Sequence, residues 1–134
     1  MDHYKEIKKV KSYLENTLNC SVELFSDLKG ESMGRIYYPG ESCDNVYCSE
    51  AKILIDCPYV ESALFTILHE AGHYVSYLRY FRKFNINQDN FPKEKRELFA
   101  YLYGWYVIRQ NNIEISKEEW KDFHEVEINK FVSL

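Results

Sequence analysis

The chain has 134 residues, of which 46% are hydrophobic and 28% charged, enough for one hydrophobic core but not comfortably for two. Such a composition belongs to a folded globular domain and lies well away from disordered sequences. The formal net charge of −4 provides no basic stripe, so nucleic-acid binding by this chain alone is not expected.

In chain order, Ile7, Val10, Leu14 and Leu18 recur at helical spacing and predict an amphipathic helix over Tyr4–Leu18, packed on the outside of a sheet. Lys5, Glu6, Lys8, Lys9, Lys11 and Glu15 interrupt any leader-like apolar run there, and no stretch approaches the ~20 apolar residues of a membrane helix. A cytoplasmic protein with no membrane segment is expected. Val22 and Leu24 alternate in a short strand over Ser21–Phe25. Further short strands are expected over Arg35–Tyr38, Val46–Cys48 and Lys52–Asp56, between Gly30, Gly34, Pro39 and Gly40 as turn signals.

After Pro58 the period becomes helical and predicts a helix over Val60–Arg82, with Leu64, Ile67, Leu68, Ala71, Val75 and Leu78 as its buried stripe. Pro92 opens a second helix running to Ile108. Ser116 with Glu119 in capping-box spacing opens a third, which carries Trp120, Phe123 and Phe131. The order of helix, small sheet and three helices predicts a single α+β domain over 1–134.

The long helix carries His69-Glu-Ala-Gly-His73. Imidazoles four residues apart project from one face of a helix, within about 40° of each other, and can reach one Zn²⁺. The intervening Glu70 is placed to act as general base toward the attacking water. His69 and His73 share their face with Ser62, Thr66, Ser76 and Tyr80, which predicts a polar surface or cleft. Gly72 costs about 1 kcal/mol against Ala inside a helix, which suggests that it admits a neighbouring backbone.

A catalytic zinc keeps three protein ligands and one open position. The extended metzincin pattern would need Gly at position 76 and His at position 79, but the chain has Ser76 and Arg79. Glu97 is the preferred third ligand, because Ala100 and Gly104 flank it with a small-residue strip that lets two helices approach closely. Glu94, Asp89 and His124 stand in reserve. The four cysteines, Cys20, Cys43, Cys48 and Cys57, read as reduced thiols. Cys43 and Cys48, with four residues between them, stand at the wide end of the usual spacing in a structural zinc site, which would also need two further ligands. Tyr74, Tyr77, Tyr80, Tyr101, Tyr103 and Tyr106 crowd the two motif helices, mostly as packing residues at the core margin.

Ile53-Leu-Ile-Asp56, Phe65-Thr-Ile-Leu-His-Glu-Ala-Gly-His73 and Glu97-Leu-Phe-Ala100 together resemble the ImmA/IrrE family of metallopeptidases, gluzincins with an HExxH helix followed by a Glu-x-x-Ala helix. The resemblance implies His69, His73 and Glu97 as zinc ligands, Glu70 as general base and a protein or peptide substrate. It departs from the family at Tyr103-Gly104, where relatives often have Phe-Ala, and at Trp105-Tyr-Val-Ile-Arg109, where they have a Leu-rich stretch ending in Pro. Larger relatives add a helix-turn-helix or sensor domain, for which this length has no room. A lone domain of this kind looks like a mobile-element or phage product acting on a repressor or another regulator. The expected chemistry is peptide-bond hydrolysis, with the strand over Lys52–Asp56 offering an edge for an extended substrate. The rival is a metal-containing binding module that inhibits a partner without turnover, against which the intact Glu70 argues.

Overall fold

The computed structural model describes residues 2–24, 34–40, 42–43, 46–47, 50–55 and 60–132. They form α1 (His3–Thr17), β1 (Cys20–Leu24), β2 (Gly34–Tyr37), β3 (Ser42–Cys43), β4 (Val46–Tyr47), β5 (Ala51–Ile55), α2 (Val60–Ser76), a π turn (Tyr77–Phe81), a 3-10 turn (Gln88–Asn90), α3 (Lys93–Gln110) and α4 (Lys117–Val132). The architecture is α+β. Two compact units divide the chain at 1–70 and 71–134, and the division falls inside the continuous helix α2. The expected strand ends at Phe25, Cys48 and Asp56, and the side chains of Cys43, Cys48, Cys57 and Phe131, lie outside the described residues.

In the first unit, Asp2 caps α1 by accepting a hydrogen bond from Lys5 N at 3.2 Å. Ile7, Val10 and Leu14 are buried, and α1 packs on β1. The three-stranded sheet has the order β1-β5-β2. Val22 lies opposite Ile53 in the parallel β1–β5 pair, and Ile36 opposite Ile53 in the antiparallel β2–β5 pair. β5 is therefore the central strand, with both edges already paired, and does not offer the edge expected of it. Its nearly continuous burial, with Ile53, Leu54 and Ile55 all enclosed, is that of a strand covered on both faces. In β1 the buried alternation falls on Cys20 and Val22, the face expected for Val22 and Leu24, whereas Leu24 at the strand end is 47% exposed. β3 and β4 form a separate two-stranded ladder.

Residues 63–70 of α2 are all buried, and of the expected polar face Thr66, His69 and Ser76 are buried while Ser62, His73 and Tyr80 are half-buried. Gly34 supplies the reason at Thr66: a Cβ there would stand 2.6 Å from Thr66 Cγ2 and 3.3 Å from Glu70 Cγ. The start of β2 thus lies directly on the helix face that carries these two residues.

In the second unit, α2 does not run unbroken to Arg82. It widens into the π turn, where Arg82 N donates to Tyr77 O at 2.8 Å. The wider turn accommodates Phe81 among Tyr80, Phe91 and Phe99, with ring centroids 5.3, 5.0 and 5.8 Å away. Asn85 (φ 54°) follows it, as Asn19 (φ 53°) follows α1 and Asn112 (φ 51°) follows α3. Asn tolerates this left-handed conformation and commonly ends helices there. α4 begins with the reciprocal capping box: Ser116 N donates to Glu119 Oε1 and Glu119 N to Ser116 Oγ, both at 3.1 Å. Trp120 is fully buried and its Nε1 donates to Tyr101 O at 2.9 Å, tying α4 to α3. No described helix is long and apolar enough to cross a membrane.

Candidate metal centre

His69 and His73 lie one turn apart on α2, separated by about 6 Å of axial rise. Glu97 stands in the second turn of α3. One potential ligand atom from each of the three residues lies within 4.8 Å of the others. His73 Nε2 and Glu97 Oε1 are 3.4 Å apart. Zinc holds nitrogen and oxygen ligands at 2.0–2.2 Å in a tetrahedral arrangement, which places neighbouring ligand atoms roughly 3.3–3.5 Å from each other. Two imidazoles and one carboxylate also make the donor set of a catalytic zinc with a fourth position open. The His73–Glu97 distance and the chemistry of the three residues fit that ion, and the group as a whole could hold it.

Gly72 brings Glu97 within reach. A Cβ at Gly72 would collide with the Ala100 carbonyl oxygen and stand 2.8 Å from Gly104 N, so α3 passes this part of α2 with backbone against backbone. Ala100 and Gly104 are buried, as the small-residue strip requires. Glu97 lies three residues before Ala100 on the same helix and is 8% exposed. A short carboxylate arm meets a ligand on another helix only at such a close crossing.

The reserve ligands are placed differently. Glu94 is exposed. Asp89 has an 87% exposed side chain 4.0 Å from Arg96 Nη1. His124 is buried in α4, its Nδ1 3.3 Å from Trp120 O and its ring packed against Trp120, Tyr101 and Phe123. Among the described residues, His69, His73 and Glu97 form the one group suited to a metal ion.

Glu70 follows His69, is largely buried, and stands outside the ligand group. Its Cγ is near Gly34 of β2. In the sequence Gly34 is legible only as a turn signal and Thr66 as a neighbour of the histidines on the helix face, and nothing there marks their place beside Glu70. Thr66 Oγ1 is buried one turn before Glu70, without a hydrogen-bond partner among the described residues. The tyrosines largely pack: Tyr74 stacks on Tyr77 with centroids 6.1 Å apart, and Tyr106 accepts a hydrogen bond from Arg79 at 2.6 Å. No family model matches the chain, and neither a curated protein nor a solved structure matches it.

Proposed function

We propose that the protein is a zinc-dependent metallopeptidase of the ImmA/IrrE kind that acts in the cytoplasm on a protein substrate, a repressor or other regulator of a mobile element or phage. The observation that carries this reading is the meeting of His69, His73 and Glu97, with Glu70 beside a ligand but outside the set. Zinc bound by those three residues would supply Lewis acidity for the scissile carbonyl and the attacking water. Glu70 is the group that takes the proton from that water and delivers it to the leaving amine. Burial of His69, Glu70 and Glu97 restricts bulk water around the reacting atoms, which strengthens each electrostatic contact.

The test starts with elemental analysis of protein purified without chelator or affinity metal, with one zinc per chain expected. Glu70→Gln should keep that zinc and trap a partner from host extract that the unsubstituted protein cuts. A partner bound equally by both, never cut, and still inhibited by the Gln variant would leave a metal-containing binding module in place of the enzyme.

A further inference from the structure

Leu78, Arg79, Arg82, Lys83 and Tyr103 line an open pocket of about 590 Å³ at the π turn that follows α2. Its volume falls within the range of ligand sites, and its lining holds three cations and no carboxylate. Among the described residues no carboxylate pairs with Arg79, Arg82 or Lys83. That is unusual in a chain where acidic residues outnumber basic ones, 21 to 17.

Arg79 is held in place. Its Nη2 donates to Tyr106 Oη at 2.6 Å, and its guanidinium carbon sits 4.3 Å from the centre of the Tyr106 ring. A guanidinium has five N–H donors in a rigid fork, and one hydrogen bond to a phenol does not exhaust them. Lys83 Nζ lies 5.6 Å from the Phe84 ring centre, a position that leaves an ammonium able to pair with an anion. Leu78 and Tyr103 add an apolar element to the lining. The π turn itself is of a kind that recurs at functional sites.

We propose that this pocket is a docking site for an acidic peptide segment of a protein partner, separate from the residues that hold the metal. Carboxylates pair with the three cations while an apolar side chain lies on Leu78 and Tyr103. A nucleic acid is a poorer fit, because its phosphates recur about every 1.7 Å of duplex and call for a long basic track, whereas this chain is net negative and the pocket is compact. Where the peptidase reading holds, the site selects substrates with an acidic stretch, and to that extent the inference rests on that reading.

The experiment measures fluorescence anisotropy of a fluorescein-labelled peptide of Glu and Leu residues, and of its counterpart with every Glu replaced by Gln, on zinc-loaded Glu70→Gln protein. The acidic peptide should bind roughly tenfold more tightly than the amide peptide and weaken as salt rises. Arg82→Glu combined with Lys83→Glu, at two exposed positions, should abolish the difference while zinc content and the circular dichroism spectrum stay unchanged. Equal binding of the two peptides, or an unchanged preference in the double variant, overturns the proposal. So does displacement by inorganic phosphate or single-stranded DNA at lower concentration than by unlabelled acidic peptide. Because the readout is binding and not cleavage, a chain that binds the peptide but never cuts a protein sinks the peptidase reading alone. One that cuts but shows no acidic preference sinks the docking site alone.

Discussion

Gly72 and Ala100 meet backbone to backbone, with no side chain of Gly72 between α2 and α3. An added methyl would strike the Ala100 carbonyl and the amide of Gly104, which cannot swing aside as a flexible side chain can. Gly72→Ala therefore sets two effects against each other. Helix propensity favours Ala by about 1 kcal/mol, and overpacking against backbone costs about 1–3 kcal/mol or more. The clash should win, with a net loss in urea denaturation and a weaker zinc affinity by titration, because α3 carries Glu97 away from His73. Unchanged zinc affinity would show that the close approach is not what places the carboxylate.

Gly34 should affect the other half of the site. Its substitution by Ala drives a methyl into Thr66 and toward Glu70 without touching a ligand. Gly34→Ala is expected to keep one zinc per chain and lose turnover by roughly a hundredfold, the penalty that a misplacement of about 1 Å can exact. Parallel measurement of zinc content and kcat checks it. Loss of zinc along with activity would mean that β2 supports the whole site and not Glu70 in particular.

The proposed ligand set makes a prediction in both directions. His69→Ala, His73→Ala and Glu97→Ala should each lose stoichiometric zinc, whereas replacing Cys43 and Cys48 with Ser should leave metal content unchanged. Zinc that binds the folded chain alone also stabilises it by mass action, by about 2.7 kcal/mol at a hundredfold excess over Kd. A chelator should accordingly lower the Tm of the unsubstituted protein and leave the Tm of the three ligand variants where it was.

Cys20 provides a test that does not involve the metal. Burial in β1, and secondarily the charge of Glu15, push its thiol up from 9.0 to about 12. The folded chain then holds this proton to higher pH than the unfolded chain does. Its contribution to stability is intact below about pH 9 and is lost as the pH rises toward about 12. Urea midpoints measured across this window should fall, and more steeply for the unsubstituted protein than for Cys20→Ala. Near neutral pH, peptide mapping after iodoacetamide treatment should find Cys20 unmodified, since the thiolate is the reactive form.

What the amino-acid sequence determined by itself was local. The spacing of Ile7, Val10 and Leu14 makes the buried face of α1, and Ser116 with Glu119 closes its own capping box, because partners three or four residues apart meet wherever a helix forms. HEAGH likewise puts two imidazoles on one face, and the small residues after Glu97 mark a helix surface that can approach another closely. Only the tertiary structure decided that β5 lies between β1 and β2, since strand order depends on pairings between segments distant in sequence. It also decided that the Thr66 and Glu70 face of α2 lies under Gly34, where both of these polar residues are buried. The widening at Tyr77–Phe81 belongs with these. Helical periodicity continues through it, and the burial of Phe81 among Tyr80, Phe91 and Phe99 comes from aromatic rings that the chain brings together only by folding.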